Sequence, residues 1–158
     1  MIYYTDGSCN GNGKISNTGG FGIVEVNDNG TIHSAYAKRC ANTTNNREEL
    51  KAILRVMLTA GVLQDDWTQP PIVYSDSNYC VQTFNEWMFN WAKNGWIKSD
   101  KKEPENLDLI QAYYNHYMQG YRIDLRKVKG HAGNKYNELA DKLATGVLTA
   151  EEAMKIYG

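Results

Sequence analysis

With 158 residues, 42% of them hydrophobic, the chain is long enough to bury one sizeable core, so we expect a single domain over residues 1–158 that acts as a monomer. No apolar run approaches the roughly 20 residues of a membrane-spanning helix. The start, MIYYTDGSC, lacks the features of a signal peptide, which favours a cytoplasmic protein with no membrane partner. The formal net charge of -1 excludes a surface that is positive overall, so any surface for a polyanion must be local.

The first part of the chain has the pattern of a β-sheet. Ile2–Thr5 is a short apolar and β-branched run, and FGIVEV at 21–26 has the same bias after a Gly-rich gap, so both segments predict strands. NDNG at 27–30 predicts a turn, after which Thr31–Cys40 continues in strand-compatible residues. The pattern predicts a three-stranded antiparallel meander.

The remainder of the chain alternates between helix and strand. Apolar residues at helical spacing predict a helix over Glu48–Ala60, with Thr or Asn residues able to cap its start and Gly61 at its end. Ile72–Ser75 predicts a short buried strand, and helical segments follow from about Asn78 onward. Later elements are a helix over Leu107–Tyr117, a strand over Tyr121–Val128, a helix over Asn137–Thr145 and a short terminal helix after the capping box at Thr149. Five strands with helices packed on them define an α/β layer fold.

Two aspartates stand at the ends of predicted strands. Asp6 ends the first strand, and Asp76 ends the strand in the sequence VYSD. In sheets with helical crossovers, binding sites collect beyond the carboxyl ends of the strands, so these carboxylates lie side by side if their strands are neighbours. Taken singly, each aspartate also fits an ordinary turn residue or a helix N-cap.

Two further acids fall on predicted helices. Glu49 begins the first helix, and an inward placement among its apolar residues would be costly for a carboxylate that lacks a cation or a hydrogen-bond donor. The alternative is a solvated residue in the first helical turn, as we expect for its neighbour Glu48. Asp141 lies between two leucines, where helical periodicity also permits a solvent-facing position. Four convergent acids would suit Mg2+, because two hard cations about 4 Å apart can clamp a phosphodiester.

Motifs for several other kinds of chemistry are missing from the sequence. It has no HExxH, no paired CxxC, no P-loop and no nucleophile motif of a Ser-His-Asp hydrolase. Its three cysteines are scattered, which argues against a disulfide framework and indicates reduced thiols. Basic residues form two local clusters, each either a nucleic-acid surface or a solvated face: Lys93, Lys98, Lys101 and Lys102 in one, and Arg122, Arg126, Lys127 and Lys129 in the other.

Four short segments, taken together, resemble the motifs of one known family. They are TDGSCNGNG at 5–13, TNNREEL at 44–50, YSDSNYC at 74–80 and VKGHAGNKYNELADKLA at 128–144. In order and spacing they resemble the ribonuclease H family, specifically its bacterial-type, type 1 members. The resemblance covers nearly the whole chain, and the segment at 86–109 is similar to the family's helix and basic protrusion.

The resemblance implies a fold, an activity and a cofactor. The fold is a five-stranded mixed sheet, with three antiparallel strands and then two parallel ones, flanked by helices and carrying a basic protrusion. The activity is endonucleolytic hydrolysis of the RNA strand of an RNA/DNA hybrid by a two-metal-ion mechanism that leaves 5'-phosphate and 3'-hydroxyl ends. The cofactor is Mg2+, two ions, with Mn2+ as a substitute.

The resemblance also implies the residues of the catalytic site. The four carboxylates that match the family's metal ligands are Asp6, Glu49, Asp76 and Asp141. Glu49, rather than Glu48, stands at the family position. His131, bracketed by glycines in GHAG, matches the family's mobile histidine, which assists proton transfer or product departure.

Substrate contacts are implied in two groups. Near the cut these are Asn12, Asn46 and Asn78, with Thr44 and Asn45 gripping the DNA strand; in the protrusion they are Trp87, Trp91, Lys93, Trp96 and Lys98. Trp87 and Trp91, four residues apart, fit the helix core as an alternative. Ala92 and Asn94 occupy places where basic residues are common, so we expect weaker hybrid affinity and a flatter salt dependence than in a more basic homologue.

Two other functions fit the same residues. One is another nuclease or polynucleotidyl transferase on this fold, such as a DNA-directed enzyme or a detached reverse-transcriptase domain, because a fold does not fix an activity. The other is a noncatalytic module that binds the hybrid. The GHAG loop and the protrusion favour the hybrid-cutting enzyme over the first, and the presence of all four acids argues against the second.

Overall fold

The computed structural model describes residues 1–11, 16–128 and 134–158. Its strands are β1 (Ile2–Asn10), β2 (Thr18–Val26), β3 (Ile32–Ala41), β4 (Val62–Leu63), β5 (Ile72–Ser75), β6 (Tyr121–Arg122) and β7 (Asp124–Lys127). Five of them form one sheet in the order β3-β2-β1-β5-β7, while β4 and β6 form a separate ribbon. β1, β2 and β3 are antiparallel, and β5 and β7 continue the sheet in parallel with β1. The predicted mixed sheet is confirmed.

The helices are α1 (Asn45–Ala60), α2 (Asn78–Gln82), α3 (Met88–Lys93), α4 (Leu107–Met118), α5 (Lys135–Thr145) and α6 (Ala150–Tyr157). A π-helical segment, Thr83–Trp87, joins α2 to α3. Within the described ranges, no helix is both long and apolar enough to cross a membrane.

Hydrophobic cores lie on both faces of the sheet. Phe21 and Ile23 of β2 belong to the larger core, which α1, α2 and α4 also line. Val24 belongs to the smaller core with Leu139 and Leu143 of α5. Successive residues of a strand point to opposite faces, so this alternation places α1 and α5 on opposite sides of β2. Helices from both faces therefore reach the same central strands.

The structure moves several predicted boundaries, including the starts of β2, at Thr18, and of α5, at Lys135. β1 continues beyond Thr5 to Asn10, because the residues after Asp6 keep pairing with β2. α1 begins three residues before Glu48, and the Thr44 hydroxyl caps it by accepting a hydrogen bond from the Arg47 amide at 3.1 Å. The predicted strand at 121–128 is divided between β6, which pairs with β4, and β7, which pairs with β5.

Candidate metal centre

Asp6 and Asp76 lie on neighbouring strands, as predicted, but only Asp76 follows the end of its strand, because β1 continues through Asp6 to Asn10. β1 and β5 pair in parallel with Tyr4 opposite Tyr74, so the residues two positions further along reach the same edge of the sheet. The Thr5 hydroxyl donates a hydrogen bond to the Tyr74 carbonyl at 3.1 Å. This bond ties the two strands together next to both aspartates.

Glu49 reaches the same edge from α1. The start of α1 packs so closely against β1 that a side chain on Gly7 would collide with the backbone of Glu48 and Glu49. The Gly7 amide donates a hydrogen bond to Glu49 Oε1 at 2.7 Å. The other carboxylate oxygen, Oε2, is buried and has no hydrogen-bond partner among the described residues. Glu49 is therefore held by one oxygen and leaves the other available.

Asp6, Glu49 and Asp76 form one cluster. Each offers a carboxylate oxygen, and the three oxygens lie within 4.8 Å of one another. The side chains of Asp6 and Glu49 are buried, at 6% and 8% exposure. In the part of the chain that the structure describes, no lysine or arginine forms an ion pair with any of the three.

Burial and mutual repulsion raise the pKa of two of these acids. Burial raises the pKa of Asp6, and the hydrogen bond with Glu49 and the charges of Glu49 and Asp76 raise it further. Burial also raises the pKa of Glu49, against the opposing effect of the hydrogen bonds from Asp6 and the Gly7 amide. A nearby divalent cation would relieve this repulsion, since it favours the charged form of each acid. An all-oxygen donor set with one unpaired buried oxygen fits a hard cation such as Mg2+.

Asp141 approaches Asp6 from the opposite face of the sheet. α5 packs closely across β2, because a side chain on Gly22 would collide with Ala140 and Leu143. Gly22 is also the partner of Asp6 in the β1–β2 pair. Asp141 hydrogen-bonds with Asp6 and contributes to the raised pKa of that acid. It remains solvent-exposed and lies outside the three-residue cluster.

Glu48 differs from its expected solvated state. Its side chain is only 1% exposed, so that expectation is wrong. The Thr43 hydroxyl donates to Glu48 Oε2 at 2.6 Å, and Lys51 Nζ lies 2.8 Å from the same oxygen. A local hydroxyl and a cation one helical turn away compensate the burial of Oε2, while Oε1 has no hydrogen-bond partner among the described residues. Glu48 is absent from the carboxylate cluster, in agreement with the choice of Glu49.

The polar residues expected to contact substrate border the cluster. Thr44, Asn45 and Asn46 are exposed at the start of α1, three to five residues before Glu49. Asn78 is exposed at the first position of α2, two residues after Asp76. Two expected residues, Asn12 and His131, lie outside the described ranges.

The expected protrusion is a set of aromatic rings with lysines beside them. The Trp87 ring lies 6.4 Å from Tyr79 and 6.1 Å from Trp91, between centroids. Trp91 and Trp96 are partly buried and pack against the larger core. Trp91 therefore has one side in the core, as its alternative interpretation expected, and one side exposed. Lys93 is exposed and Lys98 half-buried. A groove of about 590 Å³ is lined by Asn90, Trp91, Asn94, Ile97, Lys98, Ser99 and Lys101.

The fold and this cluster define a class: an α/β protein with a candidate divalent-metal centre made of carboxylates at the edge of a mixed sheet. The family model described as RNase H matches residues 1–149. The chain belongs to the ribonuclease H family, and it is an enzyme of that family.

Individual relatives agree with this assignment. The chain is 40% identical over 147 residues to a ribonuclease H of Caldanaerobacter subterraneus subsp. tengcongensis, covering 90% of this chain and 86% of that protein. It is 40% identical over 144 residues to a ribonuclease H of Francisella tularensis subsp. novicida, covering 91% and 88%. The crystal structure of LC9-RNase H1, a type 1 RNase H, superposes with a TM-score of 0.66 at 28% identity, covering 92% of this chain and 70% of that one.

Proposed function

We propose that the chain cuts the RNA strand of RNA/DNA hybrids endonucleolytically, leaving 5'-phosphate and 3'-hydroxyl ends, with two divalent cations. Mg2+ is the proposed cofactor and Mn2+ a substitute. The observation that carries the proposal is the cluster of buried Asp6 and Glu49 with half-buried Asp76, and Asp141 beside Asp6. Membership of the ribonuclease H family supports the substrate class.

The four carboxylates would hold the cations. When bound, divalent cations supply positive charge that polarises the phosphodiester and lowers the pKa of water. Asp6 and Glu49 are buried, so bulk water has little access to their carboxylates. The Gly7 amide fixes one oxygen of Glu49 and orients the other, while the Thr5 hydroxyl fixes β1 against β5. This arrangement requires no covalent protein nucleophile.

Substrate recognition must separate ribose from deoxyribose, and the 2'-hydroxyl is the feature that differs at every nucleotide. Asn46 and Asn78 are exposed polar groups beside the acids and suit this contact near the cut. Thr44 and Asn45 are proposed to grip the DNA strand. The protrusion groove offers the Trp91 indole and Lys98 for a sugar-phosphate backbone, with Trp87 and Trp96 nearby on the same segment. For Asn12 and His131, contact with the hybrid and proton transfer remain predictions from the sequence.

The test is a cleavage assay with each strand labelled in turn. RNA/DNA hybrid, single-stranded RNA, duplex RNA and duplex DNA are compared with and without Mg2+. We expect cuts only in the RNA of the hybrid and only with metal. Cleavage of duplex DNA at a comparable rate would identify a DNA-directed nuclease instead, and binding without cleavage would identify a noncatalytic module.

The carboxylate cluster is tested by Asp76→Asn, which keeps the size of the side chain and removes its charge. We expect cleavage to fall by about 1000-fold or more, because charge stabilisation of the transition state is lost. The matched control is Asp28→Asn, the same change in an exposed turn. Near-normal Mg2+-dependent cleavage by Asp76→Asn would contradict the proposed metal centre.

We also propose that residues 1–158 act as one domain and as a monomer. Light scattering coupled to size-exclusion chromatography measures the molar mass directly. A value close to the 17.9 kDa of one chain is expected, and twice that value would contradict a monomer.

A further inference from the structure

A row of aromatic and cationic side chains crosses the sheet next to the carboxylates. The strand registers place Tyr4 opposite Tyr74, and Tyr74 opposite Arg126. We call these three residues the tyrosine-arginine row. Because side chains alternate along a strand, Tyr4 lies on the same face as Asp6, about 7 Å away along β1. The row therefore begins beside the metal centre and runs away from it across β5 and β7.

The row is a connected aromatic surface with a cation at its end. The Tyr4 ring lies 5.1 Å from the Tyr74 ring and 5.3 Å from the Tyr136 ring, between centroids. All three rings are partly exposed. The Arg126 side chain is 51% exposed and pairs with Asp124 at 2.7 Å. The hydrogen bonds and the charge of Asp124 raise the pKa of the Arg126 guanidinium, and the neighbouring Tyr74 adds a smaller effect in the same direction.

The outer part of the row lies where the described helices leave the sheet open. Val73 and Leu125 point into the larger core. Tyr74 and Arg126 alternate with them and point to the opposite face. On that face α5 packs against β1, β2 and β3 rather than against β5 and β7. Tyr4 and Tyr136 pack with one side against the smaller core. Within the described residues, the partly exposed surface of the row therefore centres on Tyr74 and Arg126.

Positive charge lies at two sides of this surface. Arg126 stands at one end, whereas the neighbouring Lys127 alternates to the opposite face and does not contribute. Lys135 Nζ lies 5.5 Å from the centre of the Tyr136 ring at the other side. Asp124 compensates one of these cations through its pair with Arg126. Aromatic rings between cations match the chemistry of single-stranded nucleic acid, whose bases stack on tyrosine and whose phosphates pair with arginine and lysine.

We propose that the tyrosine-arginine row, with Tyr136 and Lys135, binds a single-stranded RNA segment that continues from the hybrid beyond the cut. The inference rests on the proposed function: the row begins beside Asp6, so the strand that it binds is the RNA strand that the metal centre cuts. It adds a preference that the paired substrate alone does not require: hybrids with an unpaired RNA tail bind more tightly than blunt hybrids.

The experiment measures binding by fluorescence anisotropy without divalent metal, so the hybrid stays intact. A blunt hybrid is compared with the same hybrid carrying a short RNA tail at the 5' or the 3' end of its RNA strand. We expect one of the two tails to lower Kd by about tenfold, as stacking of bases on aromatic rings predicts. A tail of the same length that lacks bases should lose most of this gain.

Two variants connect the gain to the row. Tyr74→Ala and Arg126→Ala should each reduce the ratio of blunt to tailed Kd to about two or less, because each removes part of the stacking or charge. Arg126 is half-exposed, so its replacement tests the surface even if Tyr74→Ala does not fold. The control is Lys155→Ala, which removes the same charge from α6, a helix that packs on β3 at the far edge of the sheet. It should keep the full ratio.

The inference is overturned if neither tail changes Kd, or if the gain persists in both Tyr74→Ala and Arg126→Ala. If neither tail changes Kd, the row does not bind single-stranded RNA, and a protein partner becomes the alternative. If the gain persists in both variants, the tail binds another surface. Mg2+-dependent cleavage of the blunt hybrid is measured in parallel. Failure of that cleavage contradicts the proposed function, whereas normal cleavage with no effect of a tail contradicts this inference alone.

Discussion

The candidate metal centre and the protrusion are built in different ways. In the metal centre, the backbone positions the acids: strand pairing aligns Asp6 with Asp76, and two glycines let helices from both faces approach. In the protrusion, partly exposed rings and lysines line an open groove, and the chemistry lies in side-chain identity. The centre should therefore be intolerant of small backbone changes, and the protrusion should respond in a graded way to changes of charge.

Among changes that keep all four acids, the largest effect is expected from Gly7→Ala. A methyl group here collides with the backbone of Glu48 and Glu49, so α1 must move away from β1. A displacement of about 1 Å at a catalytic group costs on the order of 100-fold in rate, and we expect at least that loss in kcat. The control is Gly120→Ala in the turn between α4 and β6. Its φ of 103° suits glycine, so alanine should strain the backbone there without moving α1. Equal loss of kcat in both variants would show that the effect is general destabilisation.

Metal binding should stabilise the centre specifically. Mg2+ at about 100 times its Kd should raise the free energy of unfolding by about 2.7 kcal/mol, because it binds the folded state only. Thermal unfolding with Mg2+ or with EDTA measures this difference. Asp76→Asn should lose most of it, and Asp28→Asn should keep it. If Mg2+ stabilises Asp76→Asn as much as the natural chain, the stabilising ion binds somewhere other than the carboxylate cluster.

Without metal, the same centre should weaken the fold as pH rises. The pKa of Asp6 is raised in the folded state by burial and by Glu49, so ionisation opposes folding. The contribution of protonated Asp6 to the free energy of unfolding is complete below the pKa of an aspartate in the unfolded chain, about 3.9. It is lost as pH rises toward the pKa of Asp6 in the folded protein. Asp6→Asn in EDTA should therefore be more stable than the natural chain at pH 7 and lose that advantage near pH 4. The opposite order in denaturant melts would contradict the repulsion.

Each positive charge added to the protrusion should increase the affinity for the hybrid by a small step. Ala92→Lys and Asn94→Lys add cations beside the groove, so each should tighten hybrid binding and steepen the dependence of log Kd on log salt by about 1. The measurement is a titration at several salt concentrations. Ala92→Gln and Asn94→Gln are the uncharged controls. A salt slope that is already as steep as that of a more basic homologue would contradict the expected weak binding.

The smallest effect concerns the link between the two regions. Arg47 at the start of α1 pairs with Asp108 at the start of α4, at 2.6 Å, on an exposed surface. Asp108→Asn should cost about 0.5 kcal/mol, the usual size for such pairs. The hydrogen bond with Arg47 lowers the pKa of Asp108, so this contribution is present above the unfolded pKa and is lost as pH falls through the folded one. A pH-independent difference between the two proteins would contradict it.

Sequence patterns predicted the sheet and the place of Asp76 after its strand, because apolar runs indicate which segments pair. They placed the end of the first strand at Asp6, whereas β1 continues to Asn10, because residues 7–10 pair with β2 without forming an apolar run. They did not predict β4, since two residues carry too little pattern, nor the break at Ile123 between β6 and β7. They also missed the burial of Glu48, which depends on the Thr43 hydroxyl and Lys51 meeting it in space. The close approaches at Gly7 and Gly22 had a signal that was available, since glycine inside a strand often marks a neighbouring backbone.

The hydrogen bond from Thr5 to Tyr74 joins residues 69 positions apart, and Asp141 meets Asp6 from a later part of the chain still. Contacts at such separation form late, because the intervening chain must lose its freedom before they are made. During synthesis, Asp6 emerges from the ribosome long before its partners. The four acids can therefore assemble only after α5, which carries Asp141, has been synthesised, so a shorter nascent chain lacks the complete set.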